Sequence, residues 1–266
     1  MNLYTHGVIR PNSNPVYDAD AAAFFTATGI TDVGQKSAVN QLVLDLKSNS
    51  LWTKFIAIYP LVGGSATTHK YNLKDPQDLD ASYRLTFSGG ITHDSNGVTG
   101  NGSNGYYRTY ITPSSHLSQD NTSVFIYLRT NSSGAYVDIG SIKTGAPQHR
   151  IQINPRNGSN QFTSACNDTT VSSVSNSDSR GLIGVSRTAS GSYVQSINST
   201  QTTVSVTSTA LNSVEIYGLA VNSGGAANYS ARNQAFACIG TGLTNSECDT
   251  LYTVVQTYQT SLSRQV

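Results

Sequence analysis

The first quarter of the chain carries its apolar residues at helical spacing. From Asp18, the run Ala19, Ala21, Ala22, Ala23, Phe24 and Phe25 predicts a helix, with Gly29 placed where a helix C-terminus falls. Val39, Leu42, Val43 and Leu46 follow the i, i+3, i+4, i+7 pattern of a second helix, leaving Gln41, Asp45 and Lys47 for its wet side. Leu51, Trp52, Phe55, Ile56 and Ile58 extend the apolar pattern and predict a further short helix that Pro60 stops. After Gly63-Gly64 the pattern changes to short β-branched or aromatic runs between Gly, Asn and Ser clusters, the signature of a turn-dense sandwich of roughly a dozen strands. The stronger strands fall at residues 83–87, 106–112, 124–130, 136–142, 150–154, 182–186, 193–197, 204–207 and 214–220. In Val124-Phe125-Ile126-Tyr127-Leu128 one face is aliphatic, whereas 193–197 is mixed and reads as an edge. A last helix starts at Thr244, where Thr244-Asn245-Ser246-Glu247 fits a capping box and Leu251, Val254, Val255, Tyr258 and Leu262 form the stripe that packs on the sandwich.

These elements divide the chain into an extended arm over residues 1–17, a small helical segment over 18–62, and a sandwich over 63–266 with its closing helix at 245–262. Pro11 and Pro15 bias the arm away from helix. The opening residues lack the apolar stretch of a secretory signal, which argues against ordinary export, and no stretch reaches membrane-spanning length.

Composition narrows the chemistry. The 16 Lys+Arg against 15 Asp+Glu give a net charge of +1, so no long-range field gathers nucleic acid or an anionic membrane. Charged residues are only 12% of the chain, with Ser, Thr, Asn and 23 Gly filling the gap, which favours β structure and turns. The three cysteines, Cys166, Cys238 and Cys248, form no C-x-x-C pair and read as buried free thiols. No cofactor is called for.

Motifs for catalysis are sparse. The glycines at 89, 90, 97, 100, 102 and 105 lack the Gly-Lys-Ser/Thr ending of a phosphate cradle and read as a wide hairpin loop. His93, Asp94 and Asn96 could offer metal ligands within loop 93–105, though the spacing matches no calcium loop. Glu215 and Glu247 are the only glutamates, and Glu247 serves the cap, so a carboxylate pair for glycoside hydrolysis is not apparent. No G-x-S-x-G or H-E-x-x-H occurs, and His6, His69, His93, His116 and His149 are scattered. A polysaccharide lyase site built from Tyr, His and Arg of distant strands stays open. The 15 tyrosines are the enriched candidate, since aromatic faces stack on sugar rings and cover interfaces. Tyr106, Tyr107 and Tyr110 crowd one strand, Tyr106 and Tyr110 on one face with Tyr107 opposite, for ligand contact or for ordinary packing.

Several runs resemble a group of bacteriophage virion and prophage structural proteins. They are Ala38-Val39-Asn40-Gln41-Leu42-Val43 with Leu46-Lys47, Leu51-Trp52, Ile58-Tyr59-Pro60, Asn72-Leu73-Lys74-Asp75-Pro76, Leu85-Thr86-Phe87-Ser88-Gly89-Gly90, and Thr92-His93-Asp94 with Asn96-Gly97-Val98. Leu243-Thr244, Glu247, Leu251-Tyr252, Ser261-Leu262 and Arg264-Gln265-Val266 extend the likeness to the C-terminus. The resemblance implies a concanavalin A-like or laminin-G-like jelly roll, that is, a mainly β, two-sheet antiparallel sandwich with small N-terminal helices and a C-terminal helix. It transfers no ligand site.

The expectation is therefore a non-enzymatic virion protein: a spike, head fibre, capsid decoration or tail-tip component. The arm would join it to other virion proteins, and a homo-oligomer, a trimer before a monomer, fits that context. The alternative is an adhesin that binds host surface glycan, and a depolymerase stands behind both.

Overall fold

The computed structural model describes residues 16–266. Of the expected arm only Val16 and Tyr17 fall among them, and Tyr17 packs edge-on against Phe25 with ring centroids 5.0 Å apart. Helix α1 (Ala19–Thr28) starts where the Asp18 carboxylate accepts from the Asp20 amide and stops at Gly29, whose φ of 68° suits a residue without a side chain. Helix α2 (Val33–Ser48) is capped by Asp32 and buries Ala38, Val39, Leu42, Val43 and Leu46, the stripe read from the sequence.

The third apolar run behaves differently. Residues 51–58 were expected as a helix, and only Trp52–Lys54 forms one 3-10 turn; Phe55–Tyr59 is strand β1. Its β-branched and aromatic residues pair with Ala237–Gly240, and a short apolar run takes the partner that buries both its faces. The small helical segment expected over 18–62 therefore ends in a strand of the sandwich.

The remaining strands are β2 (Thr86–Ser88), β3 (Ile91–Asp94), β4 (Gly97–Gly100), β5 (Tyr106–Arg108), β6 (Thr122–Leu128), β7 (Ile139–Ile142), β8 (Arg150–Asn154), β9 (Gln161–Asp168), β10 (Ser172–Ser175), β11 (Gly181–Ala189), β12 (Ser192–Ile197), β13 (Thr200–Ser205), β14 (Tyr217–Gly218), β15 (Val221–Asn222), β16 (Ala226–Ala227) and β17 (Asn233–Gly240). One-turn helices α3 (Ala66–His69) and α4 (Pro113–His116) precede β2 and β6, and α5 (Asn245–Ser261) closes the chain.

These strands build two mainly antiparallel sheets. One runs β13-β12-β11-β6-β17-β4-β3, with β1 beside the second half of β17; the other runs β10-β9-β8-β7-β14-β5-β2, with the β15–β16 hairpin against β7. The sandwich expectation holds. Strand β12 is not the edge it was read as, because β13 pairs beyond it. The glycine-rich span 88–105 contains the β3–β4 hairpin as well as loop. The strands expected at 106–112 and 214–220 shrink to Tyr106–Arg108 and Tyr217–Gly218, since Tyr110 and Leu219 take positive φ values of 58° and 59°.

Two cores follow from the alternation along β6. Val124, Ile126 and Leu128 point between the sheets toward Ile139, Ile151, Ile153 and Phe162. Phe125 and Tyr127 point the other way, with Phe236 and Cys238 of β17, into a second core capped by Phe24, Leu42, Val43, Leu251, Val255 and Tyr258 of the helices. The central strands of the first sheet, β6 and β17, are thus buried on both faces, and the outer face of the second sheet is the one the helices leave uncovered.

Helix α5 begins with the expected capping box: the Glu247 amide donates to Thr244 Oγ1 and the Thr244 amide donates to the Glu247 carboxylate. Lys54 adds an ion pair to Glu247 at 2.8 Å. Replacing Thr244 by Ala should lower unfolding free energy by about 1 kcal/mol with unchanged m-value in urea titration. All three cysteines are buried and free, burial raising their thiols well above the ordinary range. Among the described residues no helix is long and apolar enough to cross a membrane.

Candidate functional site

On the sheet face that the helices do not cover, register aligns one row across six strands, half-buried at Thr86, Arg108 and Tyr217 and buried at Gly140, Gln152 and Ala165. Thr86 of β2 lies opposite Arg108 of β5, Arg108 opposite Tyr217 of β14, Tyr217 opposite Gly140 of β7, Gly140 opposite Gln152 of β8, and Gln152 opposite Ala165 of β9. The intervening positions Tyr107, Gly218 and Ile139 face the core. Tyr107 is fully buried, and its ring fills the space above Gly218, where a Cβ would lie 1.8 Å from it. Its expected role in ligand contact is therefore corrected: strand alternation turns it inward, away from any surface ligand.

Tyr106 and Tyr110 do share the outward side and are half-buried. Tyr106 stacks on Tyr217 with centroids 5.0 Å apart and planes at 26°, and Tyr229 leans on Tyr106 at 6.4 Å. Tyr110 lies under the Arg108 guanidinium at 4.5 Å, and its hydroxyl is 3.0 Å from Thr86 Oγ1. The four rings thus form one aromatic platform. Tyr217, Tyr229 and Arg108 were not among the residues singled out from the sequence. Tyr217 falls in an expected strand, but only pairing of β14 with β5, across more than a hundred residues of chain, sets it beside Tyr106.

Glu215 organises the platform from its margin. Its Oε2 accepts from Arg108 Nε at 3.1 Å and Nη2 at 2.8 Å, and its Oε1 accepts from the Tyr110 amide at 2.6 Å. That last bond holds Tyr110 in its left-handed conformation. The carboxylate pushes the Arg108 guanidinium further toward its charged form. Burial, and then the same carboxylate, push the Tyr217 phenol up, so it stays a neutral donor. With Arg108 and Glu215 cancelling, the platform is aromatic and polar with little net charge. Gln152, further along the row, is 8% exposed, and its Oε1 has no hydrogen-bond partner among the described residues.

Two buried ion pairs cross-tie the sheets around this site. Asp138, which immediately precedes β7, meets Arg232, which immediately precedes β17, and both side chains are fully buried. Arg232 also donates to the carbonyls of Ser132 and Arg156, and Asp138 accepts from Ser230. Arg232 thereby anchors the segment that carries Tyr229. At the far end, Arg187 of β11 lies 3.7 Å from Asp168 of β9.

No three His, Cys, Asp or Glu side chains among the described residues come together as a metal cluster. Within loop 93–105, the Asp94 carboxylate accepts from the Asn96 amide, and Asn101 Oδ1 accepts from the amides of Ser103, Asn104 and Gly105. Those side chains serve the turns.

The sequence matches no protein-family model and no curated protein at a significant level. The structure is similar to part of a Trypanosoma rangeli sialidase, a mutant displaying trans-sialidase activity, with TM-score 0.53 at 12% identity over 85% of this chain and 40% of that one. Domain 4 of a GH43 extracellular arabinanase from Geobacillus stearothermophilus, solved with arabinotriose, gives TM-score 0.46 at 15% identity over 75% of this chain and 98% of that one. The botulinum neurotoxin serotype D binding domain gives 0.46 at 11% identity over 77% and 52%. This chain spans about 40% of the sialidase's length. At these identities the likeness to the sialidase shows the fold alone, a two-sheet antiparallel β-sandwich. It also corrects one expectation: the chain was read as a non-enzymatic protein, and the chain it is in part similar to is that of an enzyme, the sialidase.

Proposed function

We propose that the chain is a carbohydrate-binding sandwich whose site is the tyrosine platform on the uncovered sheet. The observation that carries this reading is the stacked Tyr106–Tyr217 pair, with Tyr229 and Tyr110 beside it, on the one sheet face that the helices leave free. Aromatic faces meet the C–H face of a sugar ring while phenol and guanidinium groups meet its hydroxyls. Because Glu215 neutralises Arg108, the platform suits an uncharged sugar.

The test is a glycan array followed by titration of the best ligand. Tyr217→Ala should weaken binding by about 30-fold, the size of a truncated aromatic hot spot, and Tyr106→Ala by a similar factor. Thr163→Ala, on the same sheet outside the platform, should leave affinity unchanged. Equal affinity in all three variants would remove the platform from the reading. Measuring sugar release from the same ligands distinguishes binding from turnover.

A finer reading sets this sandwich on a phage particle, joined to other virion proteins through the arm at residues 1–17 and assembled as an oligomer, with the platform facing host surface glycan. It is supported by the resemblance of the sequence runs to virion proteins. Immunogold labelling of purified particles tests it: a defined labelled position supports it, and unlabelled particles refute it.

A further inference from the structure

At the edge of the sandwich where β2 and β3 follow one another, two histidines meet. His69 Nδ1 lies 3.0 Å from His93 Nδ1, so one ring donates and the other accepts. The roles are set by a third group. His69 Nε2 accepts from the Gly64 amide at 3.2 Å, which leaves the His69 proton on Nδ1 and makes His93 Nδ1 the acceptor. His69 is 1% exposed, at the end of α3, while His93 is half-buried on the edge strand β3. The His93 ring also packs edge-on against Phe87 of β2, with centroids 4.5 Å apart. It therefore joins α3, the edge strand of one sheet and the edge strand of the other.

We propose that His69 and His93 form an acid-sensitive latch that holds the β2–β3 edge of the sandwich closed at neutral pH and releases it on acidification. When His93 takes a proton on Nδ1, two N–H donors face each other at the contact and the hydrogen bond is lost. His69 has no way to adapt: turning its ring would leave the Gly64 amide unpaired, and its own Nδ1–H is buried. His93 swings toward solvent instead, withdrawing from Phe87. Strand β2 pairs with β5, so the loosened edge is the one that flanks Tyr106 and Arg108.

The charges around the pair agree with this direction. Burial, then His93, then Arg264 of the C-terminal segment drive His69 down to about 3, so it stays neutral throughout the working range. Burial lowers His93 as well, with Asp94 on its own strand pulling back. Because both folded values lie below the ordinary imidazole value of 6.5, the unfolded chain binds more protons in that window. The stability contributed by the latch is complete above pH 6.5 and falls as the pH drops below it.

The experiment is amide hydrogen exchange on the whole chain at pH 7 and pH 5, corrected for intrinsic exchange, with NMR titration of the His93 ring. Protection of Ile91–Asp94 and Gly97–Gly100 should fall about tenfold at pH 5, with the midpoint of the His93 titration, while β6 keeps its protection. His93→Asn retains an acceptor for His69 Nδ1–H and does not titrate, so its edge protection should be independent of pH. Unchanged edge protection in the native protein, or the same loss in His93→Asn, would overturn the latch. Should the variant fail to fold, a native His93 that titrates without change in edge protection overturns it equally.

Discussion

Arg232→Met should destabilise the protein by about 3–5 kcal/mol, measured by urea unfolding at pH 7. The guanidinium is fully buried, so its loss leaves the Asp138 carboxylate without a counter-charge and two carbonyls without donors. Burial already pushes the Asp138 carboxyl up, with Arg232 and Ser230 pulling it back. Without Arg232 it folds only as the neutral acid. The loss should therefore shrink as the pH is lowered toward the carboxylate range, because the unfolded chain then holds the same proton. Asp138→Asn in the Arg232→Met background should recover part of the loss at neutral pH, since no charge remains to bury. A loss under 1 kcal/mol, or no recovery in the double variant, would show that the pair is not the cross-tie. Tyr229 adjoins this segment, so the same variant should also weaken ligand binding at the platform.

A second large effect is expected at Arg187. Its Nε donates to the Cys166 carbonyl at 2.8 Å, and Nη1 lies 3.1–3.2 Å from the carbonyls of Ala189, Ser190, Ser192 and Val206. One cation thus closes the β11–β12 turn, the end of β13 and the bulge of β9. Arg187→Met removes the donors of five carbonyls and the counter-charge of Asp168 together, and should cost about 3–5 kcal/mol. Arg187→Lys should recover only part of this, because an ammonium is a compact charge without the planar fork that reaches several carbonyls at once. Thermal unfolding of both variants checks the order. A lysine variant as stable as the native protein would show that charge alone matters.

Much of the architecture is legible in the sequence alone. The α2 stripe, the α5 capping box and the alternation of β6 are local patterns, set by residues within a turn or a strand of one another. Other elements were not legible, for identifiable reasons. Phe55–Tyr59 is a short apolar run with no periodicity to separate helix from strand, and pairing with β17 decided it. Strand β17 itself, Asn-Gln-Ala-Phe-Ala-Cys-Ile-Gly, has no polar face to betray alternation, because the helices cover the side that a two-layer sandwich would leave wet. The missed β9 is similarly poor in β-branched residues, and the ladder between β8 and β10 supplies its conformation.

The site divides in the same way. That Tyr106 lies opposite Tyr107 follows from the period of a strand, which is local chemistry and needs no partner, whereas Tyr110 lies beyond the strand end and is held in place by Glu215. Which side meets solvent, and that Tyr217, Tyr229, Arg108 and Glu215 complete one platform, depends on strand order and register. Those are set by which apolar faces can be buried together across distant parts of the chain. The buried Asp138–Arg232 and Asp168–Arg187 pairs belong to this second class. Charges of opposite sign leave no periodic trace in a sequence, and only the closing of the two sheets brings them within reach of one another.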